Sequence, residues 1–261
     1  MTRSVGVVIP AYRPDVTRLD GYVRTVAERL APDRIHVELD APRPGVRGRL
    51  ADLPATVTVV PERRGKGTAI TAGFESLDTD VLAFADADGS TPVDSLADVI
   101  DPVREGSADL AAGSRRHPDA TVASHQTFAR RHMGDAFAWF ARRLIDPSLY
   151  DYQCGAKAVS REAWTDVREH LYEPGFAWDI ELVTVAAALG YRVVEVPVVW
   201  EDQPGSTVSP VRTSLRLARG LVVSRHRGKV IRNEGVHPLL HAAGSARPRL
   251  VDRLTMEITD E

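Results

Sequence analysis

The chain has 261 residues, of which 43% are hydrophobic and 26% charged, with a formal net charge of −3. That apolar content suffices for one large core, and so small a charge excludes the basic footprint expected of a nucleic-acid partner. Cys154 is the only cysteine, which rules out an intramolecular disulfide and fits a reducing compartment. The apolar run at residues 5–10 is followed at once by Tyr12, Arg13 and Asp15, too short for a secretory signal. No apolar stretch approaches the roughly 18 residues of a membrane-spanning helix, so any membrane contact is expected to be peripheral.

Residues 5–10 (VGVVIP) read as a buried strand ending at a turn, and 16–30 carry helical spacing. Strands are expected at 34–40, at 56–60 (TVTVV) and at 81–85 (VLAFA), with helices at 67–77 and 92–103. A fifth strand begins at 110–112. Strands separated by helices imply right-handed crossovers, and the expected fold class is α/β, with a mostly parallel central sheet and helices on both faces. In such sheets ligands sit beyond the carboxyl ends of the strands. The second half is less regular: a helix rich in aromatics at 128–144, a short strand at 154–159, a helix at 180–189 and a strand at 191–199 (YRVVEVPVV). Residues 203–233 hold seven Arg or Lys and no acid. From about Gly235 periodicity is lost. The expected organisation is one domain over 1–233 and a mobile tail over 234–261.

The pair Asp86 and Asp88, in Asp86-Ala87-Asp88-Gly89-Ser90, ends an apolar run where a parallel sheet presents its ligand site. Hard oxygen ligands there suit Mg²⁺ or Mn²⁺ bridging to a diphosphate. The same residues also suit a plain polar turn on Gly89. Asp78 and Asp80 share the spacing but lie between a helix and a strand, and read as a loop. Arg63-Arg64-Gly65-Lys66-Gly67 precedes a helix, where two glycines let backbone approach a ligand and the cations favour an anion. Gly113-Ser114-Arg115-Arg116 offers a second cationic site at the same edge. Arg130, Arg131, Arg142 and Arg143 lie on the aromatic-rich helix, the last two reading as a solvated face. Asp179 and Glu181 fit either a helix start or carboxylates at the acceptor side of a cleft.

In order along the chain, VVIPAY at 7–12, RGKGTAITAG at 64–73, FADADGST at 84–91, GSRR at 113–116, DYQCGAK at 151–157, FAWDIEL at 176–182 and EVPVVWEDQPGSTV at 195–208 form one set. The set resembles family 2 glycosyltransferases, and within them the dolichyl-phosphate β-glucosyltransferase and polyprenyl-phosphate hexose synthase branch. The resemblance implies a GT-A fold and an inverting transfer of a hexose from a nucleotide-diphosphate sugar to a polyprenyl or dolichyl phosphate. By the same resemblance Pro10, Ala11, Tyr12 and Asp40 border the nucleoside. Arg64, Lys66 and Asp86 lie near the base or diphosphate. Asp86 and Asp88 hold Mg²⁺ or Mn²⁺, with Asp88 the direct ligand. Gln153 and Lys157 line the acceptor and sugar side, and Arg115, Arg116 and Arg131 hold the acceptor phosphate. DADG followed by a small residue, together with QCGxK, points to glucose and a UDP-linked donor.

A phosphate acceptor is largely dianionic at neutral pH and needs no strong base. A sugar hydroxyl would need one, and Asp179 is the candidate for removing its proton. A transferase acting on a sugar hydroxyl and a non-catalytic nucleotide-sugar binder are the alternatives. A nucleotidyltransferase would carry its glycine-rich loop directly after the first strand, where VVIPAYRPD has none. Many relatives of the lipid-phosphate branch have transmembrane segments, so a protein without one is expected on the cytoplasmic face of an anionic membrane. Residues 211–232 supply a basic amphipathic surface for it, with Val211, Leu215, Ala218 and Val222 on one face and Arg212, Arg216 and Arg219 on another.

Overall fold

A computed structural model of the chain describes residues 2–123, 141–201, 210–234 and 248–259, without the side chains of 123, 210–216 and 255–259. In the first half, β1 (Val5–Tyr12), β2 (Arg34–Asp40), β3 (Thr56–Val60), β4 (Val81–Ala85) and β5 (Leu110–Ser114) alternate with helices. These are α1 (Val16–Thr25, continued by a wider turn Val26–Leu30), the single turn α2 (Val46–Arg49), α3 (Lys66–Ser76) and α4 (Val93–Arg104). A short strand β6 (Thr121–Ala123) follows. The second half holds β7 (Ala156–Ser160), α5 (Arg161–Val167), α6 (Trp178–Ala188), β8 (Val193–Pro197), β9 (Val199–Glu201), α7 (Pro210–Ile231) and α8 (Leu250–Thr259).

The seven-stranded sheet runs β3-β2-β1-β4-β7-β5-β8, and β6 pairs with β9 in a small second sheet. Within the large sheet only β7 is antiparallel to its neighbours. The central strands are apolar on both faces because helices cover both. One face packs Val7, Ile9, Val37, Ala83 and Leu39 against α1 and α4. The other packs Val8, Leu82, Phe84 and Val159 against Ile70, Phe74, Trp164 and Trp178.

Every expected strand of the first half is present, and 16–30 is helical throughout. The strand expected at 191–199 divides at Val198 into β8 and β9, which join different sheets. Of the helix expected over 128–144, residues 141–144 are helical and 128–140 lie outside the described residues. The C-terminal stretch departs from the expected tail. Leu250 is fully buried and donates its N–H to the Leu171 carbonyl at 2.9 Å, and the helix it starts packs on α3. Residues 235–247 lie outside the described residues.

The surface expected over 211–232 is one continuous helix, α7, lying along α6. Its glycines do not break it; they seat it. A methyl group on Gly220 would come within 2.3 Å of the Ala177 Cβ, and one on Gly228 within 3.0 Å of the Thr184 Cγ2. Gly220, Leu221, Ser224 and Gly228 form the buried seam, leaving Ala218, Arg219 and Val222 exposed. Among the described residues no helix is long and apolar enough to cross a membrane.

Candidate active site

Parallel pairing brings the C-terminal ends of β1, β2, β4 and β5 to one edge. The reversed β7 adds the loop that precedes it to the same edge, with Ala85 opposite Ala156. Tyr12 stands beside Asp40 in the β1–β2 register. Its exposed ring carries the Arg63 guanidinium 4.2 Å from its centroid, while Ala11 is buried. Arg13 lies over the same ring at 5.4 Å, so of the donor-side residues expected on β1, Tyr12 presents an exposed ring stacked with guanidinium groups and Ala11 offers backbone only.

Arg64 sits behind that edge, its side chain 7% exposed. Its Nη2 and Nε reach Asp40 Oδ1 at 2.8 and 3.0 Å, its backbone N–H donates to Asp40 Oδ2 at 2.9 Å, and Nη2 also meets Glu38. Arg64 is thus engaged with carboxylates of β2, and it braces Asp40. Glu38 was not singled out from the sequence, although the polar alternation His36, Glu38, Asp40 on an otherwise apolar strand marks it.

At the centre lies a charged array. Lys66 Nζ lies 3.0 Å from Asp86 Oδ1 and 3.3 Å from Asp179 Oδ2. Lys157 Nζ lies 2.8 Å from Asp179 Oδ1 and donates to the Cys154 carbonyl at 2.8 Å. Two ammonium groups and two carboxylates balance. Both cations also lie on the Phe84 ring, 5.0 and 5.6 Å from its centroid. Burial alone would lower the Lys66 ammonium, but Asp179 and Asp86 outweigh it and hold it above the ordinary lysine range. Asp179 and Lys157 are each 1% exposed, so both lie beneath the protein surface with their polar atoms engaged. Asp86 is 39% exposed.

Asp88 is exposed, and one of its oxygens accepts the Ser90 N–H at 2.9 Å. The turn between them uses Gly89 at φ +68°, seated on the Tyr22 ring. Tyr22 donates to the Thr91 carbonyl at 2.9 Å, and burial, then Asp86 and Asp88, push its phenol above the usual range. Gly155 explains why the QCG segment accompanies the carboxylate pair. Its N-terminal strand end hydrogen-bonds Asp86 N–H through the Gly155 carbonyl at 2.9 Å, and a methyl group there would lie 2.0 Å from Asp86 Oδ2. Gln153 donates from Nε2 to the Phe176 carbonyl at 3.0 Å, tying this loop to the start of α6.

The glycines of 64–67 do other work than the sequence suggested. Gly65 has φ +104°, and methyl groups at Gly65 and Gly67 would meet the Pro174 and Glu173 carbonyls at 2.4 and 2.5 Å. The backbone that approaches them is the chain's own 173–178 segment, which fixes Lys66 against Asp179.

The acceptor-side arginines are distributed differently from expectation. Arg115 grips Asp151 through Nε at 2.6 Å and Nη2 at 3.0 Å. Burial would raise the Asp151 carboxyl, but Arg115 overrides it and holds the group well below the usual carboxylate range. Arg116 is half-buried beside Ser114, its N–H donating to the Ser114 Oγ at 3.3 Å. Arg131 lies outside the described residues. Arg142 stacks 4.8 Å from the Tyr150 ring centroid. Glu181 is fully buried, accepts the Tyr172 and Glu173 N–H groups at 2.9 and 2.8 Å, and pairs with Arg227 of α7. It is a brace between α6, α7 and the 172–173 loop. Cys154 is buried beneath the site, and burial raises its thiol to about 11.

Comparison with known proteins identifies the family. The model of glycosyl transferase family 2 matches residues 6–165, so the chain belongs to that family. It is 32% identical over 223 residues to the glycosyltransferase AglD of Haloferax volcanii, covering 81% of this chain and 35% of that protein. It is 24% identical to the dolichyl-phosphate beta-glucosyltransferase of Dictyostelium discoideum, covering 85% of this chain and 74% of that one. The chain thus spans about a third of AglD. Among solved structures it is similar to glucosyl-3-phosphoglycerate synthase from Mycobacterium tuberculosis, in complex with Mn²⁺ and UDP-glucose. The TM-score is 0.63 at 17% identity, over 85% of this chain and 79% of that one. The likeness establishes the fold as GT-A.

Proposed function

We propose that the protein is an inverting glycosyltransferase that moves a hexose from a nucleotide-diphosphate sugar, UDP-glucose in the first instance, to a polyprenyl or dolichyl phosphate. The observation that carries this reading is the ion-paired array Asp86–Lys66–Asp179–Lys157, buried at Asp179 and Lys157 and reaching the surface at Asp86, beside the exposed Asp88 at the carboxyl edge of the sheet. The array is neutral overall, and within it Asp86 and Asp179 hold the Lys66 ammonium in a fixed position, so that it can meet the negative charge developing on a diphosphate leaving group without reorganising. The name of the Dictyostelium discoideum relative supports a lipid phosphate as acceptor, and the UDP-glucose complex of the structural neighbour supports UDP-glucose as donor.

Tyr12 offers a face for the base, and Asp40, braced by Arg64, lies next to it. Asp88 suits a divalent cation, Mg²⁺ or Mn²⁺. It is exposed, and one oxygen is already fixed by the Ser90 N–H. Asp86 is the other carboxylate of the pair; its Oδ1 is held by Lys66 and its Oδ2 is packed on Gly155. When bound, such an ion neutralises charge on the departing diphosphate. Lys66, paired with Asp86, is the chain's own cation for that charge.

In the transfer, a phosphate oxygen of the acceptor bonds to the anomeric carbon while the bond from that carbon to the donor's diphosphate breaks, and configuration inverts. No proton need be removed, because the acceptor is already dianionic. Asp179 fits this chemistry better than that of a hydroxyl acceptor. Buried and held by two ammonium groups, it is in no position to take a proton from a substrate. We read it as a positioning residue for Lys66 and Lys157. Gln153 and Lys157 support the sugar side from the loop and strand they join, and Arg116 and Arg131 remain the cations assigned to the acceptor phosphate. Arg115 acts through Asp151 instead.

The exposed face of α7, with Ala218, Arg219 and Val222, is assigned to an anionic membrane surface, where the acceptor's prenyl chain resides. The donor half of the reading is tested by titrating UDP and GDP with and without Mn²⁺, followed by turnover of their sugars. UDP should bind more tightly, Mn²⁺ should strengthen it, and Asp88→Ala should remove the metal effect and about 10²-fold or more of turnover. Preference for GDP would reassign the donor, and full activity of Asp88→Ala in EDTA would remove the metal from the account.

A further inference from the structure

The α3-facing side of β2 carries His36, Glu38 and Asp40, which are 5%, 2% and 3% exposed. Two buried carboxylates here face one guanidinium, that of Arg64. Uncompensated charge so far from water is costly, and the hydrogen bonds around His36 show how the deficit is met. The His36 Nε2 lies 2.9 Å from Glu38 Oε1, a carboxylate oxygen that can only accept. The Thr58 hydroxyl is 3.1 Å from the same nitrogen and can accept as well. Nδ1 lies 2.9 Å from the Ser76 Oγ. That hydroxyl has one hydrogen, and the Gly73 carbonyl 2.7 Å away can only accept it. Toward His36 the serine can therefore only accept, so Nδ1 must donate too.

We propose that His36 carries both ring protons in the folded protein and is a positioning residue for the donor end of the site. As an imidazolium it completes a neutral quartet, His36 and Arg64 against Glu38 and Asp40. The groups facing the ring are Glu38 on its own strand, Thr58 on β3 and Ser76 on α3; Arg64 reaches it through Glu38. With His36 neutral, Glu38 would draw harder on the Arg64 Nη2 that it shares with Asp40, loosening the hold on Asp40 beside Tyr12. The effect on donor binding rests on the function proposed above, whereas the protonation state of the ring does not.

The ¹⁵N resonances of the imidazole ring at neutral pH decide the first point. Both nitrogens should show the protonated signature, and a neutral tautomer overturns the proposal whatever the donor assay gives. His36→Gln keeps a donor toward Glu38 but removes the charge. It should speed solvent exchange of the Arg64 Nε–H and weaken UDP binding about tenfold, with kcat little changed. The double variant His36→Gln with Glu38→Gln restores charge balance and should recover the slow exchange and most of the affinity. A merely packing role for His36 would leave the double variant no better than the single one, and that result overturns the charge-balance account. If UDP does not bind even the wild type, the donor reading fails, and the Arg64 exchange rates still decide whether His36 positions this residue.

Discussion

The guanidinium of Arg115 meets both oxygens of Asp151, whose side chain is 2% exposed. Removing one partner of such a pair leaves an uncompensated buried charge, which costs about 3–5 kcal/mol. Arg115→Met is therefore expected to lower stability by about 3 kcal/mol, toward the low end because Arg115 keeps some solvent contact. The pH dependence has a definite sign. The Asp151 carboxyl is held below its unfolded value, so its contribution is fully present above about pH 5 and is lost as pH falls through the folded-state value. Urea unfolding of wild type and variant at neutral and acid pH checks both points: the gap between them should narrow in acid. An unchanged gap would show that Asp151 does not titrate against Arg115. This pairing was not legible from the sequence. GSRR reads as free cations, and only the fold reveals that Asp151, in a loop preceding the reversed strand, arrives at the same edge.

At the scale of elements, the site depends on close approaches that glycines permit. Gly155→Ala should displace the Asp86 carboxylate, since a methyl group there would lie 2.0 Å from Oδ2. Turnover should fall at least tenfold while the thermal midpoint moves by only a few degrees. Circular dichroism beside a donor-turnover assay separates the two effects; wild-type turnover in the variant would mean that Asp86 need not sit where it does. The strands of the first half were legible because short apolar runs, broken by turn residues, leave little choice. Asp86 and Asp88 were legible because they end such a run. The roles of Gly65, Gly67, Gly220 and Gly228 were hidden, because each is set by a segment distant in sequence. α8 was hidden for a related reason: a helix of 10 residues is marginal alone and is held by the docking of Leu250 at Leu171.

At the scale of the whole molecule, α7 joins the outer surface to the site. Its inner seam packs on α6, and Arg227 pairs with Glu181, two residues beyond Asp179. Its outer face presents Val222, 62% exposed, beside Arg219. Apolar contact and an exposed cation, the latter worth about 1 kcal/mol near anionic lipid, should hold this face on a charged vesicle. Co-sedimentation should require anionic lipid, weaken with salt, and fall for Val222→Asp combined with Arg219→Gln. Wild type left in the supernatant at low salt would remove the membrane from the account. The side chains of Arg212 and Arg216, expected on the same basic surface, are not described, so the test rests on Arg219 and Val222.

A phosphate acceptor, as proposed, needs no exposed base at Asp179, which is 1% exposed. The most direct measurement follows labelled glucose from UDP-glucose, with Mn²⁺ present, onto polyprenyl phosphate, the dephosphorylated polyprenol and free sugars in parallel. The account predicts label in a lipid-linked product with polyprenyl phosphate and none with the polyprenol or the sugars. Transfer to a sugar hydroxyl, with polyprenyl phosphate left unlabelled, would contradict it.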